Sequence, residues 1–274
     1  MRFLGVDLAW PESTVDKPAN ETGVAALDES GTLLDAGWTV GLQETETWIE
    51  EQAGGDTLLF IDAPLVVENA TGQRLCEWQV GKCYGRWNVS ANSTNLATPD
   101  LGGVRLRASL EKAGWCYDDG AGGPATSGRI MCECYPYTTL VGATEFGYED
   151  ERPRYKRKPK ALRVAEWRQC RAPTCDELIK RIAALRLADP PLDLRSHPVT
   201  ERLLAEASPE AEEDYKHRED LIDAVLCGWT AALWWRFGAA RCQALGLEPG
   251  RDGGQPAMIA PCRPEQIVPA VCRG

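Results

Sequence analysis

The sequence predicts an α/β protein with a mixed five-stranded sheet, helices on both of its faces, and a helical or irregular insertion. Three observations carry this. Short apolar runs of strand length dominate the first 62 residues, a hairpin turn signal joins two of them, and the longest helical patterns come late in the chain. At 274 residues with 43% hydrophobic content, the chain suits one packed core, and one domain over 1–274 is expected.

Residues 2–9 read as a buried strand through Phe3, Leu4, Val6 and Leu8, stopping at Trp10-Pro11 and interrupted by Asp7. Gly23 to Leu27 and Thr32 to Val40 are the next strands, joined by the turn sequence Asp28-Glu29-Ser30-Gly31, so three antiparallel strands are expected first. Glu44 to Gln52 has helical spacing and ends at Gly54-Gly55. Thr57 to Ile61 is a fully apolar fourth strand that runs into Asp62-Ala63-Pro64. Proline cannot donate to a strand ladder, so the strand ends there and leaves Asp62 at its tip.

From about 66 to 128 the text turns polar, aromatic and glycine-rich, with one clear helix near Leu101 to Ala113, and this is the expected insertion or lid. Arg129 to Tyr135 is the fifth strand, with Met131, Glu133 and Tyr135 on one side and Ile130, Cys132 and Cys134 on the other. Lys160 to Leu187 has helical spacing that Pro173 is expected to break or restart. A last helix runs from about His217 to Arg241, and Met258 to Ala260 suits a short strand. The acidic run from Glu206 to Asp214 reads as solvated surface.

No window reaches the roughly 18 apolar residues of a membrane span, and no basic leader precedes an apolar stretch, so a cytoplasmic protein without a membrane partner is expected. Eleven cysteines is an odd number, and they lack the paired CxxC spacing of zinc sites, so most are expected to be reduced and buried. The net charge of −11 opposes diffuse nucleic-acid binding. Any such site must be a local patch. Residues 152–171 offer one, with nine basic side chains against the single acid Glu166; Arg154, Tyr155, Lys156, Arg157, Lys158 and Lys160 are its candidate substrate-binding residues. The alternative is a solvated loop leading into a helix.

An aspartate inside an apolar strand is costly unless its charge is compensated, and this chain places one in GVDLAW (Asp7) and one in LLFIDAPL (Asp62). A helix N-terminus or an arginine would compensate either one alone. The last helix adds Asp220 and Asp223, at i and i+3 on one face, where like charges repel unless solvated or bridged by a cation. The competing explanation is an acidic first turn favoured by the helix dipole. Together the four aspartates could converge at the C-terminal edge of the sheet. Hard oxygen ligands imply Mg²⁺ or Mn²⁺, and two such ions about 3.5–4 Å apart would suit phosphodiester hydrolysis. Glu133 is a further ligand or water-orienting base, or else a buried partner of an arginine.

At these segments the chain resembles family 429 of domains of unknown function. GVDLAW, IDAPL, ECYP, YK and HREDLIDAVLCGWTA, in this order from Gly5 to about Ala232, carry the resemblance. It implies a ribonuclease H-like fold and a predicted nuclease, with acidic residues at Asp7, Asp62, Glu133, Asp220 and Asp223, a histidine at His217, and Arg74 and Glu77 opening an inserted helix. The histidine-then-aspartate pattern also resembles RuvC-type resolvases. His197, beside Pro198, reads instead as a capping or surface residue. Two other functions stay open. One is an actin-like or sugar-kinase-like phosphotransferase, although LAWPESTVDKP lacks a glycine-rich phosphate loop. The other is a non-catalytic binding module using Trp78, Tyr84, Trp87 and Trp115.

Overall fold

The computed structural model describes residues 1–10, 19–156, 158 and 161–269. Its elements are β1 (Arg2–Asp7), β2 (Glu21–Asp28), β3 (Leu33–Val40), α1 (Gly41–Gln52), β4 (Thr57–Ile61), α2 (Leu75–Tyr84), α3 (Gly102–Lys112), β5 (Cys116–Tyr117), β6 (Arg129–Glu133), α4 (Pro136–Gly142), α5 (Val164–Ala184), α6 (Pro198–Ala205), α7 (Glu212–Phe237), β7 (Cys242–Leu245) and β8 (Met258–Pro261). The main sheet has the order β3-β2-β1-β4-β6-β5, with β1, β2 and β3 antiparallel and β4, β6 and β5 parallel to β1. This order, with helices on both faces, is the ribonuclease H-like topology. The two-residue β5 is a sixth strand that the sequence does not announce, and β7 with β8 forms a separate ribbon.

Side-chain alternation divides the sheet into two cores. Phe3, Leu58, Phe60 and Cys132 face α7, while Leu4, Val6, Leu59, Ile61 and Met131 face α1 and α3 through Ile49, Leu106 and Leu110. By the same alternation Asp7 and Asp62 fall on the α7 side, and Glu133, two residues beyond Met131, on the other.

Helix α7 is buried on nearly all sides from Leu221 to Trp234, as expected of a helix apolar around its whole circumference. Its first turn carries Glu212, Glu213 and Asp214, which complement the positive end of the helix dipole. Thus the end of the acidic run has a structural use. The helix lies directly on the backbone of the sheet: a Cβ added to Gly5 would meet the Ala224 carbonyl oxygen at 2.0 Å, and one on Gly23 would meet the Asp220 carbonyl oxygen at 2.0 Å. Gly5→Ala is therefore expected to lower unfolding stability by about 1–3 kcal/mol or more through overpacking, measured by urea denaturation.

Pro173 does not break α5, contrary to the sequence expectation. The helix runs through it, and its inward residues Ala172, Cys175, Leu178, Ile179 and Ile182 are buried against the core. The bond that the proline nitrogen cannot make is outweighed by this packing. Three helices, α2, α4 and α6, stand where residue spacing alone gives no helix. In α6 the His197 ring nitrogen Nδ1 accepts from the Val199 amide, as a capping residue does. Tyr84, Trp87 and Trp115 are core residues, and Trp78 alone of that aromatic set is exposed, at 38%. No helix among the described residues is long and apolar enough to cross a membrane.

Candidate metal centre

Strands β1 and β4 are parallel neighbours with Val6 level with Ile61, and the Asp62 amide donates to the Val6 carbonyl at 2.8 Å. Asp7 and Asp62 therefore sit side by side where the strands end, the edge at which α/β sheets place ligands. The seating of α7 on Gly5 and Gly23 brings Asp223 over this edge. One carboxylate oxygen from each of Asp7, Asp62 and Asp223 lies within 4.8 Å of the other two, so the three could hold a metal ion.

A cation already lies among them. The Lys156 ammonium donates to Asp223 Oδ2 and stands 3.8 Å from Asp62 Oδ2 and 3.9 Å from Asp7 Oδ2. Asp223 Oδ1 accepts from the Tyr155 hydroxyl at 2.5 Å, and the Tyr155 carbonyl in turn accepts from the Tyr215 hydroxyl at 2.6 Å. Both oxygens of a fully buried carboxylate are thus satisfied. Burial pushes the Asp62 and Asp223 carboxyls above the ordinary range; Lys156 opposes this and Asp7 adds to it. For Lys156, burial would lower the ammonium, but Asp223, Asp7 and Asp62 outweigh it and hold it well above the usual lysine range.

Asp220 lies one turn earlier on α7, bonded to the Lys216 ammonium rather than grouped with the other three. Burial and the neighbouring Asp7 push its carboxyl to about 8, against the pull of Lys216. Glu219 is raised to about 7, by burial, with Lys156 and Lys216 opposing. A cavity of about 320 Å³ opens here, lined by Asp7, Trp10, Pro99, Asp100, Lys216 and Asp220 among others.

Glu133 is not one of the three: it lines a small pocket together with Asp62, but its carboxylate is taken up by Arg74. It makes two bonds with Arg74, at 2.6 and 2.8 Å, and accepts from the Leu65 amide at 3.0 Å. Arg74 also bonds Glu77 at 2.9 Å, and Glu77 accepts from the Arg74 and Thr94 amides, so the carboxylates and guanidinium tie β6 to the start of α2. A buried glutamate paired with an arginine was the structural alternative for Glu133, and this is the arrangement it adopts. His217 stacks on Trp38 with ring centres 3.4 Å apart and shares a 2.6 Å hydrogen bond with Glu21. It is half exposed and none of its contacts is with the triad.

The basic segment divides in two. Tyr155 and Lys156 turn inward onto Asp223, whereas Arg154 pairs with Glu151 at the surface and the exposed Lys158 donates to the Leu162 carbonyl. Arg157 and Lys160 lie outside the described residues. Lys156 is the site residue whose role the sequence hides most. Its tyrosine neighbour in an otherwise basic run was the available sign that this stretch has a buried part.

A family model described as Protein of unknown function (DUF429) matches residues 5–244. No curated protein and no solved structure matches the chain.

Proposed function

The chain belongs to the DUF429 family, and from its site we propose that it is a divalent-metal-dependent phosphodiesterase acting on nucleic acid. The observation that carries this reading is the convergence of Asp7, Asp62 and Asp223 within 4.8 Å at the strand ends of a ribonuclease H-like sheet. The donor set fits the group. Three hard carboxylate oxygens around one point suit Mg²⁺ or Mn²⁺, and their attraction for a cation is visible in the ammonium they hold. When bound, the ion supplies a Lewis acid that polarises a phosphoryl oxygen and neutralises its charge.

The residues of the chain would divide the work as follows. Asp7, Asp62 and Asp223 hold the ion. Asp220, whose carboxyl lies near neutrality at about 8, faces the cavity beside Asp7 and is placed to exchange a proton there. Lys156 and Lys216 are the nearest cations for a phosphate. Arg154 and Lys158 extend that charge along the chain, toward the backbone of a longer nucleic acid. Glu133, paired with Arg74, braces β6 against the start of α2, and Glu21, which bonds His217, lines the cavity on the β2 side.

Purified protein is expected to cleave at least one member of a panel of linear and branched DNA and RNA with Mg²⁺ or Mn²⁺, and to lose that activity in chelator. Absence of cleavage across the panel with both metals would overturn the reading.

A further inference from the structure

We propose that Lys156 is the resident cation of the carboxylate triad, a positioning residue that a divalent ion must displace and whose released ammonium then faces the substrate phosphate. This rests on the reading of Asp7, Asp62 and Asp223 as a metal site. Its first support is positional. The ammonium is bonded to Asp223 and lies 3.8 and 3.9 Å from oxygens of Asp62 and Asp7, so lysine and metal address the same three carboxylates. A dication held by those oxygens would lie next to a positive nitrogen, and in a poorly solvated pocket two such charges repel strongly.

The second support is that the lysine can leave without the chain moving. Tyr155 is fully buried and pinned at both ends, by its hydroxyl on Asp223 and by its carbonyl on Tyr215. Backbone position is therefore set one residue away, and only the flexible four-carbon stem of Lys156 has to rotate. Its side chain is 20% exposed, so the stem has an opening to solvent.

The third is a contrast within the same molecule. Where carboxylates are locked together, at Glu133 and Glu77, the chain uses an arginine whose side chain is 2% exposed and whose guanidinium nitrogens all have fixed acceptors. Where an ion has to enter, it uses a lysine. A planar guanidinium suits a permanent fork of bonds, whereas an ammonium is a compact charge on a mobile stem that exchanges one oxygen partner for another. The lysine thus keeps three like charges together in the metal-free protein. On exchange for a dication it carries its positive charge to the rim, where a phosphodiester needs it.

Calorimetric titration of metal-free protein with Mn²⁺ tests this directly. If the ammonium occupies the triad most of the time, Lys156→Met is expected to bind Mn²⁺ about tenfold more tightly than the wild type, because competition for the competent state is removed. Equal or weaker binding by Lys156→Met overturns the inference and leaves the metal site standing. Failure of wild type and variant alike to bind Mn²⁺ overturns both. A second measurement needs no variant: acylation of lysines in the wild-type protein, read by mass spectrometry, is expected to rise several-fold at Lys156 when saturating Mg²⁺ is added. Unchanged or reduced labelling, in protein that calorimetry shows to bind the metal, overturns the proposal.

Discussion

Asp62→Asn is expected to abolish measurable Mn²⁺ binding and to lower metal-dependent cleavage by about 10³-fold or more, while the protein melts at or above the wild-type temperature. An amide keeps the shape of the carboxylate but removes one of the three charges that an ion would need. The stability half of the result follows from the direction of the titration. Burial, with Asp7 adding to it, raises the Asp62 carboxyl above its ordinary value. A carboxyl raised in the folded state favours folding when protonated, and that advantage is lost as pH rises from the ordinary aspartate value through the raised one. Above the ordinary aspartate value the carboxyl therefore costs the fold stability, and the amide, which does not titrate, removes that cost. Calorimetric titration, a cleavage assay and a melting curve on one preparation check all three parts. Retained Mn²⁺ binding would remove Asp62 from the ligand set.

Arg74→Met should have the largest effect on stability, a loss of about 3–5 kcal/mol by urea denaturation, because it leaves the buried charge of Glu133 without its counter-ion. Glu133 is 2% exposed, and apart from Arg74 its hydrogen-bond partner is the Leu65 amide. Burial already pushes its carboxyl upward, against Arg74, so removing the guanidinium favours protonation and loosens the junction of β6 with α2. Replacing both partners, as Arg74→Met with Glu133→Leu, should recover only part of the loss, since it removes the unpaired charge at 133 while the buried Glu77, which also pairs with Arg74, still lacks its counter-ion. A loss in the single variant of the size seen for an ordinary surface substitution would contradict this account.

Legibility followed the kind of force involved. Asp7 and Asp62 stood out because each interrupts an apolar run at a strand end, and that local contradiction survives any tertiary arrangement. Alternation along Arg129 to Tyr135 also set Glu133 on the same side as Met131, which proved the side facing α1 and α3. What alternation could not say was that the tips of β1 and β4 belong to the other side, since that depends on which residues stand level across strands. Asp223 was legible only as one of two neighbouring acids on a helix. The close approach at Gly23 involves the Asp220 carbonyl, while it is the Asp223 side chain, one turn further on, that reaches the strand tips. Pro173 misled because a backbone rule was weighed without the apolar packing that overrides it. Lys156 reads in the sequence as a substrate-binding member of a basic patch, because the sequence records its charge but not the three carboxylates that draw it inward.

The glycine seat of α7 has a wider bearing. Main chain rests on main chain at Gly5 and Gly23, so the span between Asp7 and Asp223 is gauged by contacts that have almost no compliance. A side-chain interface can absorb a bulky neighbour by changing rotamer; a peptide group against a peptide group cannot. Changes well away from the carboxylates, anywhere along that seat, would then register first as a loss of chelation and only later as a loss of fold. The tolerance of the centre to mutation is that of a rigid mount, set by the bearing surface rather than by what is mounted on it.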